Sequence, residues 1–188
     1  MSLVDKKAAL LLIDLQEGFK EEDYWGGKRN NPNAEKICAQ ILERWRALSL
    51  PVYHIRHSSD TPVSKLHASY SGFAFMPETA PIYGEVEMVK NVNSAFIGTK
   101  LKEHLDAAGI TTLVIVGLTT NHCISTTTRM AGNYGYETYV VSDATATFPR
   151  KGINGELYDA ETIHLTALAS LNEEFATVLS KDKLLELL

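Results

Sequence analysis

Six short apolar segments restrict the fold of this chain more than any other feature of its sequence. The first is a short continuous apolar run and the other five are similar, a pattern that is typical of strands buried on both faces of a parallel sheet. The segments are residues 8–14, 52–55, 86–89, 111–116, 137–141 and 175–179. Segments with helical spacing lie between most of them, so the pattern predicts a parallel sheet with helices on both faces, joined by right-handed crossovers.

Three of the intervening segments have the three- and four-residue spacing of an amphipathic helix. The apolar positions are Ile37, Cys38, Ile41, Leu42, Trp45 and Leu48 in the first, Leu101, Leu105 and Ala108 in the second, and Ile163, Leu165, Leu168 and Leu171 in the third. Pro51 ends the first helix and Gly109 the second. The three segments are predicted to cover the two faces of the sheet.

The length and charge of the chain favour a single domain that acts on a small molecule. With 188 residues, 45% of them hydrophobic, we expect one domain over residues 1–188. The net charge is −5 and no basic run occurs, which disfavours nucleic-acid and membrane partners. The first apolar run is too short for a signal segment or a membrane span, so we expect a cytoplasmic protein.

One long segment, residues 57–85, has no sustained period and contains three prolines at positions 62, 77 and 81. Long loops in compact domains often serve as lids over functional sites. The alternative is a set of irregular turns with a short helix that covers an edge strand. The sequence leaves both possibilities open.

Three reactive side chains follow the ends of different predicted strands. Asp14 ends the first apolar run, Lys90 follows the third, and Cys123 comes after the fourth run and a polar turn. The residues beyond Cys123 have helical character, so a helix N-terminus is expected to lower the pKa of its thiol from about 8.5. Cys38, on the apolar face of a predicted helix, is interpreted as a small inert hydrophobe.

These three side chains are expected to meet, because ligands bind at the carboxyl ends of strands in such folds. Taken alone, Asp14 could be a structural carboxylate and Lys90 a solvated lysine. Together an acid, an amine and a thiol supply the parts of acyl-transfer catalysis.

Several histidines and one arginine offer alternative roles. His122 is a rival base for Cys123, although neighbouring residues at a tight turn usually point apart. His54 and His57 are three residues apart, but too few other ligands are in sight for a metal site. Arg129, in the helix behind Cys123, could form an internal ion pair or contact the substrate.

Over roughly residues 7–180 the chain resembles the isochorismatase-like cysteine hydrolase superfamily. The residues that carry the resemblance are Leu11-Leu-Ile-Asp14-Leu-Gln16-Glu-Gly-Phe19, Val89-Lys90-Asn-Val-Asn-Ser94-Ala-Phe96-Ile-Gly-Thr99 and Val116-Gly117-Leu-Thr119-Thr-Asn-His-Cys123-Ile-Ser-Thr-Thr-Thr. A fourth block, from Gly135-Tyr136 through Val141-Ser-Asp143-Ala, adds to it. The blocks occur in order and with normal spacing, which makes the match specific.

The resemblance implies a three-layer α/β/α fold whose six-stranded parallel sheet has the order 3-2-1-4-5-6. It also implies a catalytic triad of Asp14, Lys90 and Cys123. A cis peptide bond is implied at Leu118–Thr119, and the backbone N–H groups of Thr119 and Cys123 are implied to form an oxyanion hole. Members of the family are commonly oligomeric, so we expect a homodimer or homotetramer.

The retained cysteine favours the amidase branch of this family, because true isochorismatases typically lack it. The predicted function is therefore hydrolysis of a C–N bond in a small amide, ureide or carbamoyl substrate through a thioester. Isochorismatase-type vinyl ether hydrolysis and a catalytically silent or redox-sensing protein are the alternatives.

The pocket and its ligands are less closely specified by the resemblance. Family nicotinamidases hold a metal through an Asp-x-His motif, but Arg56 stands where the aspartate should be, so we predict no metal and no cofactor. Phe19, in the first block, and the nearby aromatic residues Tyr24 and Trp25 are candidate substrate-binding residues.

Overall fold

The computed structural model describes all 188 residues and forms one six-stranded parallel sheet between two helical layers. The strands of this sheet are β1 (Ala9–Ile13), β2 (Val52–His57), β3 (Val86–Lys90), β4 (Thr112–Leu118), β5 (Glu137–Ala146) and β8 (Thr177–Leu179). Their order is β3-β2-β1-β4-β5-β8, which confirms the predicted fold and strand order. A separate antiparallel pair, β6 (Arg150–Lys151) and β7 (Leu157–Tyr158), precedes the last strand of the sheet.

Six α-helices and several shorter helical turns connect these strands. The helices are α1 (Glu22–Trp25), α2 (Ala34–Ala47), α3 (Leu101–Ala107), α4 (Ser125–Asn133), α5 (Ala160–Ala169) and α6 (Lys181–Leu185). Single 3-10 turns occupy Glu17–Lys20, Ser71–Phe73 and Pro77–Thr79, and a π-helical turn covers Thr120–Ile124. Each helix is too short or too polar to cross a lipid bilayer.

Alternate side chains of the central strand β1 pack into the two halves of the core. Leu10 and Leu12 join the cluster that contains Trp45 of α2 and Leu184 of α6, whereas Leu11 belongs to the opposite cluster with residues of α3, α4 and α5. All five residues of β1 are buried, and burial of one leucine side chain contributes about 1.5–3 kcal/mol. The apolar runs of β1 and β4 are therefore explained by strands that are covered on both faces, whereas the edge strands β3 and β8 are only partly buried.

In and just after helix α5, Leu168 and Leu171 are buried as the apolar pattern predicts, but Leu165 is not. Leu165 is 55% exposed, whereas His164 is 3% exposed. The His164 Nδ1 atom lies 2.9 Å from the Thr120 hydroxyl oxygen, so this polar side chain has a partner in the core. The assignment of Leu165 to the buried face is therefore wrong, and the paired side chain of His164 lies inward instead.

The irregular segment 57–85 lies against the chain that follows β1. The Gln16 amide donates hydrogen bonds to the carbonyl oxygens of His57 and Phe73, each at 3.0 Å, and accepts one from the His57 N–H at 2.7 Å. Gly18 packs so closely on the backbone of Lys65 and Gly72 that a Cβ atom would not fit. The segment thus covers the carboxyl ends of the strands, where the reactive side chains lie.

Gly117, near the end of β4, is predicted to be essential for folding. Its φ is +121°, and a Cβ atom there would lie 2.0 Å from the Ile13 carbonyl oxygen. An alanine at position 117 would adopt an unfavourable left-handed backbone conformation, and its methyl group would clash with β1. G117A is therefore expected to lower the free energy of unfolding by about 3–5 kcal/mol, or to prevent folding. Urea denaturation followed by circular dichroism measures this change.

Gly135 provides the matched control for this experiment. Its φ is +85°, but no atom lies within 4 Å of the Cβ that alanine would add. G135A therefore carries only the backbone cost of about 1–2 kcal/mol. If G117A and G135A lower the free energy of unfolding equally, close packing of β4 on β1 is not the reason why position 117 requires glycine.

Candidate active site

The structure brings Asp14, Lys90 and Cys123 together at the carboxyl edge of the sheet. Asp14 follows β1, Lys90 is the last residue of β3, and Cys123 lies in the π-helical turn after β4. The Lys90 ammonium donates hydrogen bonds to Asp14 Oδ2 at 2.7 Å and to Cys123 Sγ at 3.3 Å. All three residues are buried, so their charges interact with little screening by water.

The Asp14 carboxylate keeps one oxygen without a partner. Its Oδ2 atom accepts from Lys90, whereas Oδ1 is buried and has no hydrogen-bond partner. The backbone of Asp14 has a positive φ of 53°, and its N–H donates to the Ile55 carbonyl at 2.8 Å. A fixed carboxylate with an unused oxygen beside a thiol is suited to accept a proton.

The pKa of the Cys123 thiol differs from the low value that its predicted position at a helix N-terminus indicates. Burial raises the pKa of the Cys123 thiol above its ordinary value, and the negative charge of Asp14 raises it further. The positive charge of Lys90 acts in the opposite direction but does not outweigh these two effects. The expectation of a lowered pKa is therefore wrong, because burial and the Asp14 charge both oppose ionisation of the thiol.

His57 is part of the site, whereas His54 is not. The His57 Nδ1 atom lies 3.3 Å from Lys90 Nζ, and burial together with the Lys90 charge lowers the pKa of His57. His54, three residues earlier, lies on the other face of β2, and its Nε2 atom is 2.8 Å from Glu85 Oε2. Because strand side chains alternate between faces, residues three apart cannot share a ligand on β2.

The residues at this site do not suit a metal ion. Donor atoms of Asp14, His57 and Cys123 lie within 4.8 Å of one another. Lys90 Nζ, however, contacts all three of these side chains, at 2.7, 3.3 and 3.3 Å. A divalent cation would have to displace this buried ammonium or lie beside it, which electrostatic repulsion strongly disfavours.

A cavity of about 200 Å³ opens beside the three residues. The residues that line it are Asp14, Phe19, Trp25, His57, Ser59, Ser64, Leu66, Asn93, Thr119, His122, Cys123 and Arg150. The dimensions restrict any ligand to a small molecule.

Of the three aromatic candidates, Phe19 and Trp25 line the cavity and Tyr24 does not. The rings of Phe19 and Trp25 stack with their centroids 4.7 Å apart, and Trp25 Nε1 donates to the Gly18 carbonyl at 2.8 Å. Tyr24 contacts the edge of Trp25 from outside and is 46% exposed. Its position allows support of Trp25 but no contact with a ligand in the cavity.

The turn that carries Cys123 begins with a cis peptide bond between Leu118 and Thr119. Thr119 lines the cavity together with Cys123. The imidazole of His122 faces Thr119 Oγ1 at 3.3 Å and Arg150 Nη2 at 3.4 Å, and it forms no hydrogen bond with Cys123. Burial and the charge of Arg150 lower the pKa of His122.

Cys38 and Arg129 lie outside the cavity. Cys38 is buried in the core, where its thiol donates to the Ala144 carbonyl at 3.2 Å and burial raises its pKa well above the ordinary value. Arg129 Nε donates to Ser125 Oγ at 3.3 Å, and the guanidinium lies 4.7 Å from the centre of the Phe175 ring. Neither side chain is placed to contact a ligand of Cys123.

Sequence reasoning missed several residues of the cavity wall. Segment 57–85 contributes His57, Ser59, Ser64 and Leu66. The sequence offered His57 only as a metal ligand beside His54, and the only signal for the other three was the length of the segment. The Cys123 thiol also lies 3.7 Å from Asn93 Oδ1, and Asn93 belongs to the sequence block that follows Lys90. Arg150 gave no sequence signal, because the strand β6 in which it lies has only two residues and no apolar pattern.

Comparison with known proteins places this architecture in one family. The isochorismatase domain matches residues 8–183. The isochorismatase family protein YrdC of Bacillus subtilis is 48% identical, and the match covers 97% of this chain and 96% of that protein. A solved isochorismatase-family structure from Chromobacterium violaceum has a TM-score of 0.92 and 40% identity, covering 97% of this chain and 94% of the other. The chain belongs to the isochorismatase family of hydrolases.

Two relatives carry the names of particular activities. Nicotinamidase 3 of Arabidopsis thaliana is 33% identical over 85% of this chain and 81% of its own length. Maleamate amidohydrolase of Pseudomonas putida is 33% identical over 73% of this chain and 71% of its own length. Both names denote hydrolysis of an amide bond.

Proposed function

We propose that this protein is a cysteine amidohydrolase that cleaves the C–N bond of a small amide, ureide or carbamoyl compound. The observation that carries this proposal is the arrangement at the cavity wall, where the Cys123 thiol lies beside a carboxylate with an unused oxygen. Lys90 bridges the two groups through hydrogen bonds of 2.7 and 3.3 Å. A nucleophile, a base and a group that orients them are the parts required for covalent acyl transfer.

The first half of the reaction forms a thioester. Asp14 removes the thiol proton as Cys123 Sγ bonds to the substrate carbonyl carbon, and the carbonyl oxygen becomes negatively charged. The backbone N–H groups of Thr119 and Cys123 stabilise this oxyanion. The proton on Asp14 then passes to the substrate nitrogen, the C–N bond breaks, and ammonia or an amine leaves.

The second half of the reaction regenerates the enzyme. Asp14 takes a proton from a water molecule whose oxygen attacks the thioester carbonyl carbon. The C–S bond breaks, the acid product leaves, and Cys123 Sγ recovers the proton held by Asp14. One water is consumed in each cycle, and no redox step or cofactor is required.

Lys90 keeps the reacting groups in place during both steps. Its ammonium donates to Asp14, Cys123 and His57, so its three protons have three acceptors. The positive charge also stabilises the sulfur as negative charge develops on it. Because burial raises the pKa of the Cys123 thiol, proton transfer to Asp14 has to accompany the attack.

A redox-sensing role fits this site less well. Redox-sensor cysteines have a low pKa and are open to solvent. Cys123 is only 7% exposed, and burial raises the pKa of its thiol. The names of the two amide-hydrolysing relatives support the amidohydrolase proposal in addition.

A screen of small amides, ureides and carbamoyl compounds tests the proposed function. Ammonia release by the wild-type enzyme is expected, and added hydroxylamine should divert part of the acyl group into a hydroxamate, because it attacks the thioester. Isochorismate is the comparison substrate. Release of pyruvate from isochorismate, with no ammonia from any amide, would contradict the proposal and support vinyl ether hydrolysis.

A further inference from the structure

His164 of α5 is a buried histidine that contacts the turn carrying Cys123 from outside the cavity. It is 3% exposed, and its Nδ1 atom lies 2.9 Å from Oγ1 of Thr120, a side chain with no exposed surface. Thr120 is the first residue of the π-helical turn, and neither it nor His164 lines the cavity. Neither side chain touches the reacting atoms, although burying polar groups is costly unless they are paired.

The neighbours of His164 determine which ring nitrogen carries a proton. Burial lowers the pKa of His164, although the negative charge of Glu161 opposes this effect, so the ring is neutral at pH 7. Its Nε2 atom faces Asn31 Nδ2 at 3.4 Å, and the Asn31 amide already donates to two backbone carbonyl oxygens, at 3.0 and 2.8 Å. A proton on Nε2 would therefore point at a donor, which places the proton on Nδ1. His164 accordingly donates a hydrogen bond to the Thr120 hydroxyl oxygen.

A second chain of hydrogen bonds links the same turn to α5. The Asn121 amide oxygen accepts from the Thr147 hydroxyl, and the Thr147 N–H donates to Asn30 Oδ1 at 2.8 Å. Asn30 Nδ2 in turn donates to Glu161 Oε2 at 3.2 Å, and Glu161 lies about one helical turn before His164. Two consecutive residues of the turn are therefore connected to α5, and His164 makes the direct connection.

We propose that His164 is a positioning residue that fixes the turn carrying Cys123 through its hydrogen bond to Thr120. This inference rests on the proposed function. The turn supplies the attacking sulfur and, together with Thr119, the backbone N–H groups proposed to bind the oxyanion, so its placement decides whether both reach the same carbonyl group. A displacement of reacting groups by about 1 Å can cost about 100-fold in rate, and loss of the bond to Thr120 frees the turn to move.

Two reagents that react with the same sulfur test this inference without knowledge of the substrate. p-Nitrophenyl acetate acylates Cys123: a C–S bond forms, nitrophenol leaves, and the carbonyl oxygen passes through an oxyanion. Iodoacetamide alkylates Cys123 at a methylene carbon, iodide leaves, and no oxyanion forms. The ratio of the two rates at the Cys123 peptide therefore reports the placement of the turn, whereas a change in the thiol pKa or in the folded fraction affects both rates.

His164→Leu, which lacks a donor, is expected to lower the ratio of acylation to alkylation by roughly tenfold or more. His164→Asn retains an N–H donor at the position of Nδ1, so it should keep the ratio within about threefold of the wild type. Thr120→Val and Thr120→Ser form a second pair, in which only the serine variant keeps the hydroxyl and should keep the ratio. The double variant of Thr120→Val and His164→Leu should fall no further than either single variant, because both remove the same hydrogen bond.

His54 provides the matched control, because it is also buried and paired but lies away from the cavity. Its Nε2 atom is 2.8 Å from Glu85 Oε2. His54→Leu should leave the ratio unchanged even if thermal unfolding followed by circular dichroism shows a lower Tm. An unchanged ratio in His164→Leu or in Thr120→Val, a fall in His164→Asn as large as in His164→Leu, or an equal fall in His54→Leu would overturn the positioning role while the amidohydrolase proposal stands. Absence of acylation at Cys123 in the wild type would instead contradict the proposed function, and this inference with it.

Discussion

Replacing Cys123 with alanine is expected to lower kcat for amide hydrolysis by a factor of about 10⁴ or more. Without the sulfur no thioester forms, and the residual rate comes only from binding and polarisation of the carbonyl group. Ammonia release at saturating amide measures the effect. The change removes one atom at the cavity wall, so the fold should be retained and is checked by circular dichroism.

Cys38 supplies the matched control for this substitution. It is the other cysteine of the chain, and its thiol bonds to the Ala144 carbonyl in the core, away from the cavity. Cys38→Ala should leave kcat within about twofold of the wild type, because the core residues packed around Cys38 do not position the reacting groups. Retention of more than a few per cent of the activity in Cys123→Ala would exclude Cys123 as the nucleophile.

Replacing Asp14 with asparagine is expected to abolish turnover while making the Cys123 thiol easier to ionise. Loss of the base should lower kcat by about 10²–10⁴. Burial and the Asp14 charge together raise the pKa of the Cys123 thiol, and removal of that charge leaves the opposing effect of Lys90, which lowers the pKa. The pH midpoint of Cys123 alkylation should therefore move down in Asp14→Asn, although catalysis is lost.

Lys90→Gln is expected to shift the pH midpoint of Cys123 alkylation in the opposite direction from Asp14→Asn. Lys90 lowers the pKa of the thiol, so its removal should move the alkylation midpoint above that of the wild type. The control for Asp14→Asn is Asp182→Asn, which removes a negative charge from a side chain that is 84% exposed and should leave the midpoint unchanged. A midpoint that rises in Asp14→Asn would contradict the assignment of Asp14 as the neighbouring base.

The sheet and the convergence of Asp14, Lys90 and Cys123 could be predicted because they depend on local pattern and topology. Strands covered on both faces are continuously apolar, and parallel strands end at one edge of the sheet. Reactive residues placed just after three such runs therefore meet. The family resemblance added the strand order, which the alternation of strands and helices alone leaves open.

Other features depend on contacts between distant parts of the chain and gave no local signal. The pKa of Cys123 is raised by burial and by Asp14, which the N-terminal position of the thiol in a helix does not reveal. β5 continues beyond its apolar run through Ala146, where Gly117 pairs with Thr145 after a shift in register. His164 is buried because Thr120, 44 residues earlier, provides its partner.

The acylation of Cys123 by p-nitrophenyl acetate tests the central claim most directly. This activated ester reacts without knowledge of the natural amide, and quenching in acid preserves a thioester for peptide mass spectrometry. We expect the acetyl mass on the Cys123 peptide of the wild type, its loss after hydroxylamine treatment, and no acetyl group on Cys38. Continued release of nitrophenolate with no acetyl group on Cys123, or with the group on another residue, would contradict it.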